Sequence, residues 1–183
     1  MNPPEVGQSP DEVFDVVDER DVVVGREFRR EIHRRGLRHR AIHIFWLRAD
    51  GMLCLQRRSY AKDNCPGALS SSCAGHVDAG EDYRTAAVRE LHEELGIMVP
   101  AEQLTEIDYA PCHPDLGNEF VRSYVLKGDY PTRLARFEVD AIVWRSPAET
   151  EAWARTDSSS FATPLIHLLR RGSVRTALGL AAL

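Results

Sequence analysis

The chain has 183 residues, 28% of them charged and 43% hydrophobic, with a formal net charge of −5. That length suits one domain with a full core, and the mildly acidic balance leaves no electrostatic footprint for a nucleic-acid polymer or an anionic membrane. No apolar run reaches a membrane span, the start MNPPEVGQSPDEVF lacks the apolar stretch of a signal peptide, and Cys54, Cys65, Cys73 and Cys112 show no metal-finger spacing. The expectation is a cytoplasmic protein with reduced thiols.

In chain order, the polar, proline-containing residues 1–12 read as a mobile lead-in to a single domain over 13–175, with 176–183 a C-terminal tail. Phe14–Val17 and Val22–Val24 are β-branched runs separated by DERD, which predicts a small hairpin. Arg26–Arg35 carries Phe28 and Ile32 at i and i+4, a short basic helix ended by Gly36. Ala41–Leu47 and Met52–Gln56 are strands joined by an ADG turn. A loop, RRSYAKDNCPGALSSS, brings Arg57, Arg58 and Lys62 before the next strand, Cys73–Val77. Leu104–Tyr109 and Phe120–Leu126 are two further strands, and Val139–Trp144 is another, followed by a helix from Pro147 to about Ala154. Thr163–Arg171 is an amphipathic helix with Pro164 in its first turn, stopping before Gly172. The apolar end ALGLAAL is open to two readings, a homodimer contact or a frayed tail. Mixed strands and helices without βαβ repetition give an α+β class, with helices flanking a mixed sheet.

The stretch around which the rest is organised is Gly75–Ile97. Asp82 is an N-cap candidate and Gly96 a C′ residue; between them Ala87, Val88, Leu91 and Leu95 form an apolar stripe at helical spacing. Glu90, Glu93 and Glu94 stand at i, i+3 and i+4, beside or opposite that stripe and so surface-facing, three like charges within about a turn. A hard divalent cation, Mg²⁺ or Mn²⁺, makes sense of such crowding. Arg89 can hold a carboxylate in its fixed guanidinium fork.

Gly75, Glu81, Arg89, Glu90, Leu91, Glu93, Glu94, Gly96 and Ile97 occupy every defined position of a pattern that resembles the Nudix box, the signature of the Nudix hydrolases. The resemblance implies an α/β/α sandwich around a mixed sheet and metal-dependent hydrolysis of a diphosphate linkage in a small anionic metabolite, such as a nucleoside diphosphate derivative. It makes Glu90 and Glu94 the firmest metal ligands, Glu93 a ligand or the general base, Gly75 a carbonyl ligand, and Glu81 an orienting residue. A further acid from outside the box is implied, with Glu119 the first choice and Glu138 the second. A nucleotide, a nucleotide sugar, a coenzyme or an isoprenoid diphosphate would each satisfy such a site.

The similarity extends over residues 13–170 to the branch that includes type I isopentenyl diphosphate isomerase. Histidines matching His33, His39 and His76, with Glu119, bind a metal in that enzyme, and residues matching Arg58 and Lys62 hold the diphosphate. Isomerase-type activity is therefore the alternative. Against it, the isomerase's cysteine falls at Ala74 here; Cys73 is one residue early and should point away from the site unless a bulge restores it. The complete box triad also favours hydrolysis. A third reading, a non-catalytic diphosphate-binding domain, sits poorly with a box that has lost no carboxylate. Of the remaining histidines, His43 reads as a packed sheet histidine, while His92, His113 and His167 have no partners visible in the sequence.

Overall fold

In the computed structural model, which describes residue 9, residues 11–62 and residues 64–182, the chain folds around one mixed sheet. Most of the expected lead-in lies outside the described residues, although Glu12 accepts a hydrogen bond from the Arg29 amide. The predicted hairpin is present as β1 (Val13–Val17) and β2 (Val23–Phe28), paired antiparallel. α1 (Arg29–Arg35) begins three residues later than the sequence suggests, because β2 continues through Phe28; Gly36 closes it at a left-handed φ of 61°.

The main sheet contains β3 (His39–Leu47), β4 (Leu53–Arg58), β5 (Leu69–Ser70), β6 (Cys73–His76), β7 (Thr105–His113), β8 (Glu119–Lys127) and β9 (Val139–Arg145). Its order is β5-β4-β3-β8-β7, with β6 also on β3 and β9 on β4. β5 was not expected: its two residues are hidden in the loop that follows Lys62. β3 and β8 run parallel with His39 opposite Glu119, and every other pairing in this sheet is antiparallel.

Alternation along β3 assigns the two faces. Ile42, Ile44 and Trp46 pack with Cys73 against Ala87, Leu91 and Leu95 of α2 (Tyr83–Leu95). On the other face Ala41 and Phe45 pack with Leu165, Leu168 and Leu169 of α4 (Thr163–Leu169) and Val174 of α5 (Gly172–Ala177); Trp153 of α3 (Pro147–Thr156) lies at the edge. The result is helix layers on both sides of a mixed sheet. α5 was not anticipated, since Gly172 reads as a stop. A tail drawn at residue 176 begins inside this helix: Leu178 is buried in the core, and Arg175 Nε donates to the Ala181 carbonyl. None of the described helices is long and apolar enough to cross a membrane.

Candidate active site

α2 is positioned by its ends. The Asp82 side chain accepts from the Arg84 and Thr85 amides, and Gly96 closes the helix at a φ of 70°. Arg89 then ties the helix to the loop before it. Its guanidinium donates to Glu81 at 2.9 and 3.1 Å, to the His76 carbonyl at 2.9 Å, to Glu90 at 2.8 Å and to Glu93 at 3.1 Å. Glu81 in turn accepts from the Asp78 amide, which ties its carboxylate to the loop.

The three box carboxylates differ in environment. Glu93 is the most exposed. Glu90 lies against Gly75 so closely that a Cβ there would stand 2.0 Å from its carboxyl carbon. Burial and the neighbouring Glu94 charge push the Glu90 carboxyl up to about 8, against the pull of Arg89. Glu94 corrects the surface-facing expectation. It is 1% exposed, because α2 lays this side chain over β4 and β6 rather than toward solvent. It accepts from Gln56 Nε2 at 2.9 Å, the Ala74 amide at 3.2 Å and Lys62 Nζ at 3.2 Å. Gln56 was missed; a glutamine within the apolar run LCLQ was its only signal. Lys62 also pairs with Glu138. Burial works against its ammonium, but Glu94 and Glu138 hold its pKa above the ordinary value.

Arg89, Glu90, Glu93, Glu94, Lys62 and Glu138 line a cavity of about 180 Å³, which Glu12, Phe14 and Asp78 help to enclose. A second, larger cavity of about 400 Å³ adjoins it across Ala74, Gly75 and His76. Arg58 lines this one, with its Nε donating to the Asn64 carbonyl, so the structure separates Arg58 from Lys62. Glu119 and Glu138 are likewise divided: Glu138 stands beside the box carboxylates and Glu119 among the histidines.

His33, His39 and His76 converge, with ligand nitrogens within 4.8 Å of one another. Parallel pairing of β3 with β8 sets His39 against Glu119, and antiparallel pairing with β6 adds His76. Glu119 Oε1 is 3.2 Å from His76 Nε2 and 3.3 Å from His39 Nε2. Burial disfavours the Glu119 charge, yet the two histidines hold its carboxyl well below the usual range; burial lowers His76 to about 4. His39 Nδ1 lies 3.0 Å from the Leu37 carbonyl, which can only accept, so Nδ1 carries the proton. His39 Nε2 is buried against that Glu119 oxygen, and a cation shared between the two would suit both as ligands.

Cys73 is fully buried, and burial and the Glu94 and Glu90 charges push its thiol well above the ordinary value. No bulge interrupts β6: Cys73 pairs with Ile44 and Ala74 with His43 in one continuous register. The thiol sits behind the box in the α2 layer and lines neither cavity, whereas Ala74 lines both. His43 is buried, as expected for a sheet histidine, and it also lines the larger cavity.

A model of the NUDIX domain matches residues 37–168. The chain belongs to the Nudix family. An isopentenyl-diphosphate Delta-isomerase of Serratia proteamaculans is 32% identical over 80% of this chain and 77% of its own length. An uncharacterized Nudix hydrolase of Yersinia pestis is 36% identical over 80% of this chain and 81% of that protein. Among solved structures, DR0079 from Deinococcus radiodurans superposes on this Nudix chain with a TM-score of 0.75 at 28% identity, covering 87% of this chain and 98% of that one. The NUDIX domain of Shewanella oneidensis NrtR, solved with ADP ribose, shares the fold alone, with a TM-score of 0.56 at 14% identity over 75% of this chain and 86% of that one.

Proposed function

We propose that this Nudix protein hydrolyses a diphosphate linkage in a small anionic metabolite, a nucleoside diphosphate derivative being the model substrate, and that it does so in the smaller cavity. The observation that carries the reading is the seat of Glu90, pressed against a residue with no Cβ and beside Glu94 until its charge is disfavoured. Carboxylates crowded in this way suit a divalent cation. Glu90 and Glu94, with the Gly75 carbonyl, are the ligands we assign to Mg²⁺ or Mn²⁺. When bound, that ion would neutralise phosphate charge and lower the pKa of an attacking water.

The chain's own groups supply the rest. Arg89 fixes Glu90 and Glu93 relative to the loop, which limits reorganisation during reaction. Glu93, the most exposed of the three, is the best placed to take a proton from water. Lys62, anchored by Glu138, brings a cation to the cavity wall for the diphosphate, and Arg58 offers a second from the adjoining cavity. We assign His33, His39, His76 and Glu119 to a second metal, on the strength of the His39 nitrogen directed at Glu119.

That histidine set favours a second reading, isopentenyl diphosphate isomerase-type activity. Its weakness is the acid: where a thiol would face Glu119 this chain offers the Ala74 methyl, and Cys73 is in the opposite layer. One assay separates the two. The protein with Mg²⁺ is offered ADP-ribose, a nucleotide sugar, a coenzyme and isopentenyl diphosphate, with phosphorylated products and allylic isomer followed separately. Metal-dependent release of a phosphorylated product supports hydrolysis. Isomer without release overturns it in favour of the alternative, and metal binding without turnover leaves a binding domain.

A further inference from the structure

Away from the box and the His33 cluster, a second group of ligand-bearing side chains converges. β7 ends at His113, Asp115 lies in the turn before β8, and His167 is in the last turn of α4. Asp115 Oδ2 stands 3.6 Å from His113 Nδ1 and 3.5 Å from His167 Nδ1. The two imidazole rings are 4.5 Å apart between centroids, and the three ligand atoms lie within 4.8 Å of one another. With metal–ligand bonds of about 2.0–2.2 Å, tetrahedral ligands lie roughly 3.4 Å apart, so the side chains are already near that spacing.

His167 Nδ1 shares a proton with Asp115 Oδ2, which a cation would displace, whereas His113 Nδ1 is already free of one. His113 Nδ1 accepts a hydrogen bond from the Asp115 amide at 3.1 Å, so this nitrogen presents its lone pair, and coordination would take the place of that bond. Two imidazoles and one carboxylate form a borderline set that suits Zn²⁺ and its neighbours rather than Mg²⁺. Partial exposure leaves the fourth position to water.

We propose that His113, Asp115 and His167 bind a Zn²⁺-class cation that clamps α4 to the β7–β8 connection at the rim of the larger cavity. Pro114, Asp115, Thr163 and Pro164 all line that cavity, so the clamp joins two parts of its wall. The site shares no residue with the box or with the His33 cluster.

The test is a Zn²⁺ titration of the full chain, read on the histidine ring nitrogens by NMR, with bound metal counted by equilibrium dialysis. His113 and His167 should shift together at one Zn²⁺ concentration, and Mg²⁺ should move neither. Asp115→Asn with His167→Ala should bind one equivalent fewer than the wild type, while His33, His39 and His76 respond as before. His113→Ala gives the same one-equivalent loss from a half-exposed position, so a folding failure of the double variant does not remove the test. The proposal is overturned if His113 and His167 stay unmoved while the other histidines respond, if they titrate independently, or if the folded variants keep the wild-type stoichiometry.

Discussion

Gly75→Ala isolates the seat of Glu90 from the rest of the fold. An alanine Cβ would stand 2.0 Å from the Glu90 carboxyl carbon and 2.1 and 2.4 Å from its two oxygens. Ordinary non-bonded contact is about 3.5–4.0 Å, so the carboxylate must retreat by roughly 1.5 Å. The atoms struck are the far end of a flexible side chain, and Gly75 does not have the positive φ that would strain alanine. Alanine also restricts the unfolded chain, worth about 0.4–1 kcal/mol. The fold should therefore survive with a melting temperature within a few degrees of the wild type. Catalysis should not: a misplacement of about 1 Å can lose roughly 100-fold, and the larger retreat should lower kcat/KM by about 10²–10³, or roughly 3–4 kcal/mol of transition-state stabilisation. The assay is Mg²⁺-dependent product release on the best substrate of the panel, alongside thermal unfolding followed by circular dichroism. Turnover within threefold of the wild type, in a protein that melts normally, would refute the placement of Glu90 among the reacting groups.

Glu94→Gln should lower turnover by about 10³ and, because Glu94 is buried, also lower stability by about 2 kcal/mol in urea unfolding; an unchanged urea midpoint would contradict its burial against Lys62 and Gln56. Cys73→Ala should leave hydrolysis within twofold of the wild type while losing about 1 kcal/mol to the small void behind β6. A rate collapse in that variant, with the fold intact, would bring the thiol back into the chemistry. His43 donates from Nδ1 to Ser71 Oγ at 2.7 Å, since that hydroxyl is itself committed to the Cys73 carbonyl, and burial lowers this histidine to about 4. Its folded value lies below its unfolded value of about 6.5, so the unfolded chain takes up the proton first; stability should fall as pH drops from 6.5 toward 4, by up to about 3 kcal/mol. His43→Gln should make that acid limb shallower in urea unfolding measured across the range, leaving the share carried by His76, and an unaltered slope would assign it wholly to other groups.

The features legible in the residues alone are local. The caps at Asp82 and Gly96, the i, i+3, i+4 spacing of Glu90, Glu93 and Glu94, and the reach of Arg89 all lie within a few turns of one helix. The β1–β2 hairpin and the β3–β4 turn are equally short-range, and their residues carry the signal. Elements too short to show a period, β5 and α5, escaped it. Register between distant strands emerges only when the chain is packed. The parallel β3–β8 pairing that puts His39 opposite Glu119, and the antiparallel β3–β6 pairing that adds His76, depend on which segments meet rather than on their own patterns. The same holds for the burial of Glu94 over Gln56 and Lys62, the division of Arg58 from Lys62, and the meeting of His113 with His167. Helical periodicity tells a residue which neighbours share its face. It carries no information about what that face will be laid against, and a carboxylate's charge, partners and accessibility are set there.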